Sequence, residues 1–355
     1  MRMSLLFTIA LAATSGAIHG PDCRPGVLSR RRPTANHDLT AAKAVQSKPS
    51  GLLKMAYSAC GLATTVSWAH VVRTTIRSNQ PLGAMMPSVQ HGLFARTSVL
   101  SAVPLIISCY ATLASASNSW EKLGSDTCRR LNLALVAAGV GSALWVGFAP
   151  IITQIPGSSP LASHQAYKGA TRSALIGAYG SAAALSAAVW ARSLPEDVRQ
   201  QPLTWPGRVA DGVAKSLVSL APANSDDPIN VKYALLSTSF LVLTATALGP
   251  FPLAVVPSWT GRRLSRAFPA WTLLAAATSF DLKEARESGK LISDSTYTTL
   301  SNGLKGLGAV YLSAKVGAVF FDPSFPVHYG IVKMVPAAQL GASLAIGLTL
   351  RSDNE

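Results

Sequence analysis

Between Phe280 and Lys333 the sequence sets Asp281, Glu284, Arg286, Lys315, Asp322, His328 and Lys333 at the ends, and once in the middle, of hydrophobic runs. An ionisable group among apolar residues is costly unless paired or solvated, so these seven are the candidate binding residues of the chain. Asp281 and Glu284 fall one turn apart on one helix face, while Arg286 is not an i,i+4 partner of Asp281. Two accounts of Lys315 stand side by side. Its stem can snorkel to an interface, or its ammonium can pair with Asp281 or Glu284 of the preceding helix. Asp322-Pro323 is a turn signal, and His328 falls near the same surface, where its near-neutral titration leaves pH sensing open. No carboxylate–His metal spacing, nucleophile elbow, P-loop or dinucleotide fingerprint is present, nor a pair of aspartate-rich prenyltransferase motifs. Catalytic residues are therefore unassigned, and neither a metal nor a cofactor is expected.

The elements that must position these charges are long apolar runs. Eight segments approach the roughly 20 apolar residues a bilayer crossing needs: 53–73, 96–117, 131–154, 171–191, 232–256, 267–282, 302–321 and 328–349. The sixth is short and ends at Asp281, so it is expected to run on past the membrane surface. The fold class that follows is all-α and polytopic, about eight transmembrane helices in one bundle, because lipid leaves only helices or closed barrels able to satisfy the backbone. The polar loop 193–230 carries apolar residues at helical spacing over Val209–Leu220, an expected interfacial helix with Trp205 as headgroup-level anchor.

Composition agrees with a membrane class. Hydrophobic residues make up 49% of 355, with 31 Lys and Arg against 16 Asp and Glu. The basic residues sit mostly in short segments between apolar runs, the pattern that orients membrane helices rather than one that grips nucleic acid. No nucleic-acid partner is expected; the lipid bilayer is, together with other membrane-complex subunits or pigments. Basic residues favour the side holding the mature N-terminus, the 118–130, 192–231 and 283–301 loops and the C-terminus, although Arg262, Arg263 and Arg266 fall opposite. Cys23, Cys60, Cys109 and Cys128 lack metal-ligand spacing and read as small hydrophobes.

Residues 1–17 combine Arg2, an apolar core and small residues at Ser15 and Ala17, a signal-peptide pattern. Residues 18–50 are basic and rich in Ser, Thr, Ala and Pro, like an organelle transit peptide. The two in series match the address used for plastids bounded by extra membranes, with an ER or Golgi membrane as the alternative. The membrane domain then occupies 51–355.

Small residues recur four apart at Gly139, Ala143 and Gly147; Ser173, Gly177 and Ser181; Ala309, Ser313 and Gly317; and Ala337, Gly341 and Ala345. Such rows read as helix–helix seams. Gly249-Pro250-Phe251-Pro252 breaks the fifth run, most simply as a kink. Ser119-Trp120 before Arg129-Arg130-Leu131 is echoed by Ser258-Trp259 before Arg262-Arg263-Leu264, and residues 175–195 align with 306–326. These echoes point to a duplicated three-helix unit, spans two to four and five to seven, inverted in the membrane as in many transporters.

Residues 248–269, LGPFPLAVVPSWTGRRLSRAFP, with DLKEAR at 281–286, resemble the opening-helix and aspartate motifs of the plastid membrane proteins linked to neoxanthin formation. The resemblance covers a small part of the chain. The aspartate motif comes one helix earlier than in that family, and the Trp-x-His before it is missing. It implies cofactor-free isomerisation of a pigment, with Asp281 and Arg286 as the carried-over positions. The first expectation for function remains a plastid membrane protein, thylakoid or envelope, with a structural, assembly or complex-associated role, more simply not an enzyme. A secondary transporter of a small solute, and a cofactor-free enzyme acting on a carotenoid or lipid, are the alternatives.

Overall fold

The computed structural model describes residues 51–77, 98–152, 169–194, 196–200, 218–222, 226–248, 269–289 and 294–321. Among these the secondary structure is helical throughout, with no strand. In chain order the helices are α1 (Gly51–Arg77), a 3-10 turn (Ser98–Ser101) leading into α2 (Ala102–Ala116), α3 (Trp120–Leu123), α4 (Asp126–Ile152), α5 (Gly169–Ser193), α6 (Glu196–Arg199), α7 (Pro228–Leu248), α8 (Pro269–Glu287) and α9 (Ser295–Phe321). Their bounds follow the apolar runs closely, and α8 does continue past Asp281 to Glu287. The leader, the Gly249–Pro252 break, most of the 193–230 loop and the eighth segment, 328–349, lie outside the described residues.

Of the eight expected spans, the described residues include two that are long and apolar enough to cross a membrane, Asp126–Gly147 of α4 and Gly169–Ser193 of α5. At 15 residues α2 reaches only about 22 Å at 1.5 Å per residue, short of the roughly 30 Å hydrocarbon core. The second half of α8 is crowded with charge, and the first third of α9 is polar.

The helix at the centre is α8. Every residue from Ala270 to Lys283 is buried, and the helix touches α7, α4, α9 and α2. Around it, α4 packs along α5, α7 along α8, and α2 along both α1 and α9, with α1 also touching α5. A tandem duplication would make α4–α5 equivalent to α8–α9, yet the extensive partner of α8 is α7. The order of packing thus differs from the one the sequence echoes imply.

Close approach at the seams follows from missing side chains. A Cβ on Gly139 would stand 2.9 Å from the Tyr179 carbonyl oxygen and 3.0 Å from the Ala183 Cβ, so this glycine sets the α4–α5 spacing. Gly303 does the same for α9 on α2, where a Cβ would fall 1.8 Å from Ser108 Oγ. The row Ser173, Gly177 and Ser181 was expected to be such a seam and is not one within the described bundle. All three residues are exposed, and nothing lies within 4 Å of the Gly177 position. Ala309 and Ser313 are also exposed, although Gly303 and Gly306 earlier in the same helix meet α2.

Hydrogen bonds between helices supplement the packing. Tyr57 of α1 donates to Asn132 Oδ1 of α4 at 2.8 Å, Ser237 of α7 donates to the Ala276 carbonyl of α8 at 3.1 Å, and Thr244 and Thr272 share a 2.7 Å bond. Trp271 of α8 meets Trp68 of α1 edge-on, with ring centroids 5.3 Å apart, and lies 6.5 Å from the Tyr179 ring of α5. Cys109 and Cys128 are buried and Cys60 half-buried, all three free thiols, in line with their reading as small hydrophobes.

Candidate functional site

One end of the bundle gathers the ionised residues. The start of α4, the end of α5, the start of α7, the end of α8 and the start of α9 meet there, tied by Arg129 to the Ser193 carbonyl (2.6 Å), Asn230 to Glu287 (2.9 Å) and Thr127 to Tyr297 (3.5 Å). The alternation of loops along the sequence had placed the 118–130, 192–231 and 283–301 segments together, and their described parts do converge.

At the middle of this end Arg130 reaches from the first turns of α4 to the last turns of α8. Its Nη1 donates to Asp281 Oδ1 and its Nη2 to Glu284 Oε2 at 2.8 Å, so the two carboxylates one turn apart share one guanidinium. The Arg130 and Asp281 side chains are 4% and 0% exposed, whereas Glu284 is 40% exposed. The guanidinium also lies over the Phe280 ring, 4.6 Å from its centroid. Each charge holds its place through the other. Among the described residues, Arg130 Nε and Asp281 Oδ2 have no hydrogen-bond partner.

Flanking this pair are two more. The Lys283 ammonium, 2% exposed, donates to Glu287 Oε2 at 2.8 Å and to the Ser219 carbonyl at 2.7 Å, with the Phe280 ring 5.7 Å away. Arg286 donates from Nε to Asp227 Oδ2 at 2.7 Å, joining α8 to the residue before α7. The Arg286 guanidinium bonded to it holds the Asp227 carboxyl below its usual range. The half of α8 that carries Asp281, Lys283, Glu284, Arg286 and Glu287 is thus a rack of charges. One face engages α4, and the other engages the chain at 219–230.

Asp281 and Glu284 share one described partner, Arg130, which the sequence reading did not name. Lys315 lies in α9 and its side chain is outside the described residues. Arg286, out of reach of the local carboxylates, finds Asp227 in another helix junction. Asp322, His328 and Lys333 lie outside the described residues. Missed altogether were Arg130, Lys283, Glu287, Asp227 and Asn230. A signal existed for Arg130: loops on one side of an alternating bundle are neighbours, which sets 129–130 beside 281–287. Lys283 carried none, since a lysine in a charged helix end reads as solvated.

Arg129, Arg130, Arg286 and Glu287 each tie their helix to another segment at this end, while Asp126 pairs with Arg129 inside α4. No group of three or more His, Cys, Asp or Glu among the described residues could hold a metal ion. The arrangement is a clasp: it fixes the mutual depth of α4, α7 and α8. No family model matches the chain, and searches of curated proteins and solved structures found no match.

Proposed function

We propose that the chain is a multi-span helical membrane protein with a structural, assembly or complex-associated role. The observation that carries this reading is that large apolar residues face outward on four helices while several ionised and amide side chains are buried beside the apolar core. Large apolar residues face outward: Leu52, Met55, Leu62 and Val66 on α1, Ile107 on α2, Val140 on α4, and Leu235 and Val242 on α7. Arg130, Asn132, Asn230, Asp281 and Lys283 are buried. In water, leaving one such large apolar side chain exposed forgoes roughly 1.5–3 kcal/mol of burial. In lipid that loss vanishes, and the cost of ionised groups is met by pairing them inside.

The ends of the helices agree. On α1 the exposed line from Met55 to Ala69 is uncharged and is closed by Lys54 and Arg73; on α5 the uncharged stretch from Ser173 to Ala191 is closed by Arg172 and Arg192. The α5 stretch is about 28 Å long at 1.5 Å per residue, near the hydrocarbon thickness, while the α1 stretch is about 22 Å. Eight crossings, counting segment 328–349, form the finer version of this proposal. A scaffolding role is supported by the charges being spent on helix–helix ties. The plastid address rests on the leader alone, and imaging a C-terminal fluorescent fusion tests it. Extraction with alkaline carbonate tests the membrane reading itself: the chain without its leader stays in the pellet, and release to the supernatant ends the proposal. Co-migration with a large complex on a native gel is the expected sign of the assembly role; migration as a monomer or dimer alone counts against it.

A further inference from the structure

We propose that the Arg192 guanidinium, held against Trp120, binds the phosphate of an anionic phospholipid at the edge of the bundle. Arg192 closes the uncharged stretch of α5 at the end where the ionised residues gather, and Arg172 closes the other. On the membrane reading, on which this inference rests, both guanidinium groups stand at headgroup depth. They are used differently. Arg172 donates from Nη2 to the Gly147 carbonyl of α4, so the bundle itself engages it. Arg192 is exposed and lies over the Trp120 ring, 4.7 Å from its centroid, with no ion pair or hydrogen bond among the described residues.

This arrangement selects the ligand. Cation–π attraction holds a guanidinium in place without supplying an oxygen acceptor, so its N–H donors stay available to an oxyanion. Phosphate is taken by such a fork through two parallel bonds, and phosphodiester is the oxyanion that a bilayer presents at headgroup depth. The chain supplies no substitute: Glu121 and Glu196 are exposed nearby, and neither pairs with Arg192. Lys122, Arg192 and Arg199 outnumber those two carboxylates at this corner, which favours a headgroup without a cation of its own. Both halves of the site are fixed from behind. Leu123, fully buried, seats the turn that carries Trp120, and Arg129 of α4 donates to the carbonyl of Ser193, the residue after Arg192, at 2.6 Å. A Trp ring at this depth is itself favoured by the membrane interface.

The full-length chain in detergent micelles is titrated with phosphatidylglycerol, and bound lipids are counted by native mass spectrometry. Arg192→Gln is expected to weaken the tightest lipid-binding step by about tenfold, the loss of one charge-assisted contact. Arg192→Lys, which keeps the charge but not the fork, should lose less, Trp120→Leu should also weaken binding, and Arg172→Gln should leave it unchanged. Binding that is equal in the wild type, Arg192→Gln and Arg192→Lys would overturn the proposal, as would equal weakening by Arg172→Gln. Phosphatidylcholine bound as tightly as phosphatidylglycerol would refute the anionic selection. Displacement of the lipid by inorganic phosphate would assign the site to a free anion and refute the lipid. Carbonate extraction tests the membrane reading separately: a chain that stays in the pellet yet binds phosphatidylglycerol independently of Arg192 keeps that reading and loses this inference.

Discussion

Replacing Arg130 by Met removes the one cation bonded to Asp281 among the described residues and keeps most of the side-chain volume. The side chains are 4% and 0% exposed, so the carboxylate left behind has neither counter-ion nor solvent. Breaking a buried pair from one side costs about 3–5 kcal/mol. Glu284 is the contrast. It binds the same guanidinium at 2.8 Å but is 40% exposed, so Glu284→Gln is expected to cost about 1 kcal/mol or less, as for other screened pairs. The double variant Arg130→Met with Asp281→Leu exchanges the pair for apolar packing and should recover most of the loss, since such replacements are often neutral or stabilising. Stability of the full chain in detergent is read from the midpoint of denaturant unfolding monitored by helical circular dichroism. The cycle is then completed with Asp281→Leu alone. Equal effects of Arg130→Met and Glu284→Gln, or a double variant no better than the worse single one, would show that burial of this pair does not govern the stability of this end of the bundle.

Three further outcomes follow from the same geometry. Gly303→Ala puts a Cβ 1.8 Å from Ser108 Oγ and 2.6 Å from Ser108 Cβ, an overpacking expected to cost about 1–3 kcal/mol; Ser108→Gly on top of it should restore the unfolding midpoint. Gly177→Ala meets nothing within 4 Å and is expected to stabilise the isolated protein by up to about 1 kcal/mol through helix propensity, so a lower midpoint would contradict the outward placement of that face. Because the folded Asp227 carboxyl is held below its usual range by Arg286, the contribution of this pair is fully present above the unfolded carboxylate value, near 3.9, and is lost as pH falls through the lower folded value. Asp227→Asn should therefore flatten stability against pH below about 4 while leaving the profile between pH 5 and 8 unchanged.

The helices themselves were legible because apolar runs bounded by charge or proline leave few other readings, and α4 and α5 match their runs within a few residues. What the sequence hid was which face of each helix looks inward. Ser173, Gly177 and Ser181 have the same spacing as Gly139, Ala143 and Gly147, yet only the second row includes a glycine pressed against a neighbour. Spacing reveals a row, but contact depends on how the helix is rotated, and rotation is set by all its neighbours at once. The candidate charges divided in the same way. Asp281 and Glu284 could be found because two carboxylates on an otherwise apolar helix demand a partner. The partner itself is 151 positions away, and Arg130 had been read as a topology-setting loop charge, which nothing local contradicts.

The central position of α8 also bears on how the protein is made. Trp271 fills the space between Trp68 and Tyr179, and Asp281 supplies the counter-ion for Arg130, but both are translated only after α1, α2, α4, α5 and α7. Until then the early helices hold an aromatic hole and a bare guanidinium at sites that only the later chain can close. A chain that ends before Pro269 therefore lacks the helix on which its earlier half packs, so the bundle can settle only once α8 has arrived.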